Sequence, residues 1–530
     1  MEHQTFCDVF AGTAAQYPDR TAVYADGRSV TYREILRWSN AVAGRLLKDG
    51  AAKEEIIAVN TGRTAETIAG ILGIWKAGCA YVYLDRAYPK ERSENIIKDC
   101  RCRFILDRRW WEGIDREMFL PDINLSKRNC LALLIYTSGS TSKPKGVMLE
   151  HRNVMASAYN FTVFDTRPHE RFGVFPGFGF VAAVSDIFST LAVGAANYII
   201  PGTIRKNIVE LEKFYRMHGI CITFLPPHMA RKLLAMDLEG IPLRLLLVGS
   251  EPVRNLDISK APFCIFNVYG ASEMCSMISH YEIRDAGGKS VYPVGMLNHG
   301  LRGYITDEEG NPVRPGEPGE LWLSGHQVSR GYYGLPEMTH AHYVPNPFSQ
   351  ETGHERVFKT NDILRELPDG NLQYVCRKDN MFKIRGFRVE SGAVETAILE
   401  CGDVKEAVVR AFMDDGGCNI LCGYFTADHK VDVKELKGKL ADKIPYYMIP
   451  TCLIQLEAFP RNMNSKIDRK AILPPAELND HKLLENRPRR AGRRIPDRKP
   501  SVLQEQTVPH PHVNRFQLPV LFHGPAEPLS

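Results

Sequence analysis

Between residues 13 and 472 the chain alternates two hydrophobic patterns. Stretches such as 32–47 and 64–76 carry apolar residues at helical spacing. Between such stretches lie short, almost wholly apolar runs: Glu55-Ile-Ile-Ala-Val59, Cys79-Ala-Tyr-Val-Tyr83, Tyr198-Ile-Ile-Pro201 and Arg244-Leu-Leu-Leu-Val248. Runs of this kind fit strands covered on both faces, so the alternation predicts an α/β fold with largely parallel sheets. At 301–333 the pattern changes to short strands broken by Gly and Pro, as in Gly319-Glu-Leu-Trp-Leu-Ser-Gly325, which predicts a small β unit. A polar turn around Tyr374-Val-Cys-Arg-Lys-Asp379 then sets off a compact α/β unit that ends near 471. Beyond it, 474–530 holds ten prolines and the basic cluster 487–499, the composition of a largely disordered tail. Its arginine pairs read as a solvated charge run, with contact to nucleic acid or an acidic partner as the weaker alternative.

Composition removes several function classes. The apolar fraction of 44% is that of a soluble globular protein, and no apolar run approaches the roughly 18 residues of a membrane helix. The start, Met1-Glu-His-Gln-Thr-Phe, lacks the zones of a signal peptide, so a cytoplasmic location is expected. The 13 cysteines fit reduced thiols better than a disulfide framework, and their spacing gives no zinc site. A net charge of +5 is mild for this length and points to neither a membrane nor nucleic acid.

The strongest chemical signal is Ile135-Tyr-Thr-Ser-Gly-Ser-Thr-Ser-Lys-Pro-Lys-Gly146, which follows the apolar run 131–135. Hydroxyls, backbone N–H groups and lysines on a glycine-containing turn are suited to phosphate oxygens, although an ordinary polar turn has the same composition. The glycine-to-lysine spacing is not that of a Walker loop. Further segments carry compatible chemistry. Asn267-Val-Tyr-Gly-Ala-Ser-Glu273 offers an aromatic face for a purine and a carboxylate for a hard cation. Phe358-Lys-Thr-Asn-Asp362 offers two acceptor oxygens to a vicinal diol. Asn464-Ser-Lys-Ile-Asp-Arg-Lys470 offers an ammonium that can offset the repulsion between a carboxylate and a phosphate.

Taken in order with Trp75-Lys-Ala-Gly-Cys-Ala-Tyr-Val-Tyr-Leu-Asp-Arg-Ala-Tyr-Pro-Lys-Glu-Arg92 and Arg377-Lys-Asp-Asn-Met-Phe-Lys-Ile-Arg-Gly-Phe-Arg-Val-Glu390, these motifs resemble the adenylation domains of nonribosomal peptide synthetases. Those domains belong to the adenylate-forming, AMP-binding ligases, and the resemblance covers about residues 5–473. It implies a large N-terminal domain, 1–376, of two α/β layers with a small β-barrel-like unit. A hinge at 377–379 with Asp379 as pivot and a small mobile α+β domain, 380–473, would follow. It implies Mg²⁺ and ATP as cofactors, with Glu273 near the metal. The nucleotide would be held by Thr137, Ser138, Gly139, Ser140, Thr141, Lys145, Gly146, Asn267, Tyr269, Gly270, Ser272, Asp362 and Arg377. Lys466 would be catalytic, together with Thr137 and Glu273, and the loop 383–386 would line a thiol tunnel. Family glycines are replaced by Ser142, Asn361 and Ser465, which suggests reduced or altered activity.

The implied reaction activates a carboxylic or amino acid as an acyl-adenylate and passes it to a phosphopantetheine thiol. Because 474–530 has no carrier-domain motif, a free-standing enzyme with a separate carrier protein is expected. An acyl-CoA ligase and a catalytically lapsed nucleotide-binding member are the alternatives. By alignment the acid would meet Phe180, Val181, Ala182, Ser185, Phe224, Leu246, Val248, Val268, Ser276 and Met277. Val181 stands where α-amino-acid-activating members place the aspartate that pairs with the substrate ammonium. The acid therefore either lacks an α-amino group or carries a more distant amine caught by Asp186, for which a structural role is the competing reading. His151 and His228 are expected to pack or cap rather than act as bases.

Overall fold

The computed structural model describes residues 4–116, 120–137, 144–284, 291–378, 381–402, 404–414, 419–461 and 467–475. Two large mixed sheets dominate the fold. A six-stranded sheet runs in the order Gly331–Tyr332, Lys145–Glu150, Leu131–Thr137, Ala80–Tyr83, Ile56–Val59 and Ile105–Leu106. Its last four strands are parallel, and Lys145–Glu150 returns antiparallel beside Leu131–Thr137. A nine-stranded sheet runs from Met296–Leu297 and Ser276–Glu282, through Cys264–Ala271, Leu245–Gly249, Ile222–Leu225, Arg171–Val174, Ala196–Ile199 and Thr21–Ala25, to Arg28–Thr31. Six of these strands, from Cys264–Ala271 to Thr21–Ala25, are parallel, as expected of apolar runs buried on both faces.

The helices contributing to the main core obey local rules. Tyr32–Lys48 begins at Thr31, whose hydroxyl accepts from the Glu34 N–H while the Glu34 carboxylate takes the Thr31 N–H at 2.7 Å. Ala65–Lys76 is capped by the Thr64 hydroxyl and is followed by Gly78 at φ +75°. These two helices pack closely because Gly73 has no Cβ; one there would lie 2.5 Å from Val42. Lys76, fully buried, donates to Asn40 Oδ1 at 2.6 Å and pairs with Asp122. Arg63 ties the two large sheets together, donating to the Val174 and Ile200 carbonyls at 2.7 Å each.

The unit expected to be barrel-like is an open antiparallel sheet, Leu301–Thr306, Gly319–Gly325, Arg356–Glu366 and Tyr343–Pro345, with Leu372–Arg377 also paired to Arg356–Glu366. From residue 381 onward a hairpin, Met381–Ile384 with Phe387–Glu390, precedes a three-stranded sheet, Glu406–Met413, Asn419–Thr426 and Cys452–Gln455, and two helices, Ser391–Leu399 and Val433–Lys443. The hairpin turns on Arg385 and Gly386, both at positive φ (+52° and +85°), the requirement of a two-residue type I′ turn. Among the described residues no helix is long and apolar enough to cross a membrane.

Candidate active site

The strand Leu131–Thr137 delivers Thr137 to its carboxyl end, opposite Lys145. Thr137 is buried, and its hydroxyl has no hydrogen-bond partner among the described residues. An orphaned buried hydroxyl on a strand end is available to an incoming polar ligand. Lys145, also buried, holds its ammonium 4.8 Å from the Tyr332 ring centroid and 4.0 Å from Glu390 Oε1. Gly146 is packed so tightly that a Cβ would meet the Tyr136 ring at 3.1 Å. Ser138, Gly139, Ser140, Thr141 and Ser142 lie outside the described residues, as do Asp379, Ser465 and Lys466.

Tyr269 sits in Cys264–Ala271, just before a bulge at Gly270, where a Cβ would clash with the Ser276 carbonyl oxygen at 2.1 Å. Its hydroxyl donates to Asp362 Oδ2 at 2.5 Å. Arg377 is the cross-strand neighbour of Asp362 and donates to Oδ1 at 2.7 Å. Burial, and then the adjacent Asp362 carboxylate, push the Tyr269 hydroxyl well above the usual range, so it stays a donor. Asn361, one of the residues replacing a family glycine, adopts φ +59°, the left-handed conformation that asparagine tolerates. The structure thus brings Tyr269, Asp362 and Arg377 together, although they come from separate motifs. Asn267 has a different placement: its amide donates to the Pro293 carbonyl at 2.6 Å and anchors the strand.

Ser272 opens a 3-10 turn, Ser272–Met274, that carries Glu273, 1% exposed. Glu273 accepts from Tyr332 at 2.9 Å and from Arg388 Nη1 at 2.9 and 3.2 Å. Burial alone would raise its pKa, yet Arg388 and then Lys145 hold the carboxyl down to about 2. An ionised, buried carboxylate near a lysine is a suitable donor for a hard cation that also contacts phosphate. Among the described residues no group of three or more His, Cys, Asp or Glu side chains gathers for a metal. Mg²⁺ at Glu273 would therefore draw its remaining ligands from phosphate and water, where it would screen phosphate charge.

The hairpin Met381–Glu390 supplies Arg388 and Glu390, to which the motifs gave no role, and the loop 383–386 expected at a thiol tunnel. Arg388 also donates to Glu390 Oε1, at 3.1 Å from Nη2. Lys383 places its ammonium 5.9 Å from the Tyr269 ring centroid, and the Gly386 N–H donates to the Glu251 carboxylate. Burial raises the Glu251 pKa to about 7 against the opposing pull of that bond and of Lys383.

The proposed acid pocket is divided. Phe180 caps the helix Val181–Ala192, with Val181 and Ala182 partly buried in its first turn. Val181, Phe224, Val268 and Met277 belong to the main core cluster. Leu246 and Val248 do not join them; they lie in a second cluster with Leu211, Tyr215 and Leu233, on the other face of the nine-stranded sheet. Side chains alternate along a strand, so the residues of this strand on the Phe224 and Val268 side are Leu247 and Gly249. A Cβ on Gly249 would lie 2.2 Å from the Val268 carbonyl oxygen. Ser276 holds φ +89°, and the buried Ser185 hydroxyl is 2.6 Å from that of Ser157. Asp186 is 2% exposed, its Oδ2 has no hydrogen-bond partner among the described residues, and burial raises its pKa well above the carboxylate range. His151 packs edge-on against Trp75 at 5.4 Å, and burial lowers its pKa to about 4.

Two mixed sheets and a smaller antiparallel sheet, with Thr137 and Lys145 paired at a strand end and Tyr269 bonded to Asp362, are the frame of an adenylate-forming ligase. The chain belongs to the AMP-binding enzyme family, whose model matches residues 10–124 and 107–333. It is 34% identical over 494 residues to tyrocidine synthase 3 of Brevibacillus parabrevis, covering 89% of this chain and 8% of that protein. It is 33% identical to surfactin synthase subunit 2 of Bacillus subtilis strain 168, covering 88% of this chain and 14% of that protein. The chain therefore spans only a small part of these curated relatives. The fold matches an artificially fused adenylation-PCP di-domain from Klebsiella oxytoca, with a TM-score of 0.77, 22% identity and 86% and 94% of the two chains covered. It also matches o-succinylbenzoate CoA synthetase of Bacillus subtilis, with a TM-score of 0.76, 20% identity and 90% and 99% covered.

Proposed function

We propose that the chain activates a carboxylic acid lacking a conventionally placed α-ammonium and delivers it to a phosphopantetheine thiol on a separate carrier protein. The observation that carries the substrate half is Val181 at the start of the pocket helix, with Asp186 buried behind it. Val181 leaves the first turn of the pocket helix without a charge, and burial raises the Asp186 pKa with no neighbouring cation to oppose it, so neither is a standing counter-ion for an ammonium. Hydroxy, keto, aryl and short branched acids fit this environment. A distant amine ionising Asp186 on binding is the second reading, supported by the orphaned Oδ2.

In the first step a substrate carboxylate oxygen attacks the α-phosphorus of ATP, and the bond to the β-phosphate bridging oxygen breaks to release pyrophosphate. Tyr269 presents its ring to adenine, Asp362 and Arg377 meet the ribose, and Thr137 with Lys145 holds the β- and γ-phosphates. Lys466 would neutralise charge building between carboxylate and phosphate. In the second step the thiol displaces AMP, with the unit 380–473 turning about 377–379 between steps.

Substrate-dependent ATP–pyrophosphate exchange across α-amino, β-amino and non-amino acids tests the assignment. Exchange is expected with non-amino acids; strong exchange with an α-amino acid that survives Asp186→Ala would overturn both substrate readings. Acyl transfer to a phosphopantetheinylated carrier is expected, whereas transfer to coenzyme A alone would make the chain an acyl-CoA ligase.

A further inference from the structure

The carboxylate best placed for the metal is already occupied by a cation from the chain itself. Arg388 Nη1 lies within 3.2 Å of both Glu273 oxygens, and its Nη2 and Nε reach Glu390 Oε1 at 3.1 and 3.3 Å. With Lys145 4.0 Å from Glu390, two cations face two carboxylates, and the local charge sums to zero. A divalent ion would bind Glu273 oxygen at about 2.1 Å, on the edge that Arg388 now occupies. Two cations sharing a buried carboxylate edge repel strongly, because water screens them poorly there.

Arg388 is not an isolated side chain. It belongs to a four-rung hairpin with a tight two-residue turn, and the same hairpin reaches three other places. Lys383 lies over the Tyr269 ring, Gly386 donates to Glu251, and Phe387 stacks on Tyr447 at 4.1 Å while meeting Phe180 edge-on at 5.0 Å. Glu273, the Tyr269 ring and Phe180, the residue just before the pocket helix, are therefore all contacted by one small hairpin.

We propose that Arg388 and Mg²⁺ exchange at Glu273, so that loading of metal-nucleotide expels the hairpin and loss of the metal readmits it. This interlock rests on the adenylating reading above. It assigns Arg388 a positioning role: it reports the state of the metal site to the unit that must move, and Glu273 holds either Arg388 or Mg²⁺ at a time, with Lys145 beside it in both states. A fixed structural ion pair is the competing explanation, and it predicts that nothing at 381–390 responds to metal.

Hydrogen–deuterium exchange of peptides covering 381–390 distinguishes the two in the full chain. Four states are compared: no ligand, Mg²⁺ alone, the α,β-methylene analogue of ATP with EDTA, and the analogue with Mg²⁺. Uptake is expected to rise in the last state only. Arg388→Gln should show fast exchange in all four states. It should also lower the Mg²⁺ concentration for half-maximal binding of a fluorescent ATP analogue by about fivefold or more, the size of a typical coupling between sites. Arg388→Lys, which keeps the charge and the fold but loses the bidentate fork, should fall between. Saturable nucleotide binding with uptake at 381–390 unmoved by Mg²⁺, or half-saturation unchanged in both variants, overturns the interlock alone. A chain that binds no nucleotide overturns the adenylating reading and the interlock with it.

Discussion

Glu273 and Asp186 are both buried acids, 1% and 2% exposed, yet the fold treats them in opposite ways. Glu273 is surrounded by Arg388, Lys145 and Tyr332 and is held ionised. Asp186 has burial as the sole cause of its shift, which raises its pKa. On the proposed reading the difference is a division of labour: the carboxylate assigned to phosphate and metal is kept charged by the chain's own cations, and the one beside the acid has no cation to hold it charged. A buried carboxylate is therefore not by itself a substrate anchor; its neighbours decide its charge.

Removing Glu273 should give the largest effect. Glu273→Ala leaves Arg388 and Lys145 with Glu390 as the one carboxylate of the pair they face and should cost about 3–5 kcal/mol of stability, as for a broken buried pair. Thermal and urea unfolding measure it, and pyrophosphate exchange should vanish in the same protein. A loss under about 1 kcal/mol would mean that the buried charge cluster is already hydrated. Asp362→Ala should come next. It takes the acceptor from both Tyr269 and Arg377, and AMP affinity should fall by about 2 kcal/mol, or about 30-fold, when read by calorimetry. An unchanged affinity would place the ribose elsewhere and separate Asp362 from Glu273 as a functional carboxylate.

These residues differ in how they could be found. Tyr269, Asp362 and Arg377 lie in short motifs whose spacing survives in one chain, and the strand before Thr137 is a plain apolar run. The pairing of Arg388 with Glu273 joins positions 115 residues apart, and no local pattern announces it. A clue did exist: residues two apart share a strand face, so Arg388 and Glu390 point the same way once the hairpin is placed. Leu246 and Val248 show the opposite difficulty. In a run of four apolar residues either alternating set looks like pocket lining, and a one-residue slip exchanges Leu247 and Gly249 for their neighbours. Pairing Phe224 with Leu247 and Val268 with Gly249 settles the face, and that pairing is not written in the run itself.

The acid pair can also be separated by pH. Glu273 has a folded pKa below its unfolded 4.5, so its contribution is present above that value and is lost as pH falls toward about 2. Asp186 has the reverse sign. Its folded pKa lies well above 3.8, so between these values the unfolded chain releases a proton that the folded chain retains, and stability declines as pH rises past 3.8. Asp186→Asn should remove that decline. The stability difference between variant and wild type should grow in the variant's favour by about 1.4 kcal/mol per pH unit above pH 4, until the folded-state pKa is reached. Urea midpoints at several pH values measure it. A pH-independent difference would show that Asp186 ionises in the folded protein and that the contrast with Glu273 is lost.

The smallest effect belongs to the backbone beside Asp362. Asn361 holds φ +59°, its N–H donates to Glu320 Oε1 at 3.0 Å, and its carbonyl accepts from the Lys378 N–H at 2.9 Å. Both bonds are made by main-chain atoms, so Asn361→Gly keeps them and relieves a mild left-handed penalty while adding freedom to the unfolded chain. These effects oppose each other, and stability should move by less than about 0.5 kcal/mol, with AMP affinity unchanged within about twofold. Asn361→Val places a branched side chain in the same conformation and should cost about 1–2 kcal/mol, because Cβ crowds the carbonyl there. If Asn361→Gly instead strengthened AMP binding tenfold, the asparagine would be distorting Asp362. The difference between the charged nucleotide side and the neutral acid side would then partly reflect a weakened ribose clamp. Equal affinity means that the glycine-to-asparagine change is silent at this turn, and that any loss of activity in this copy must come from elsewhere in the chain.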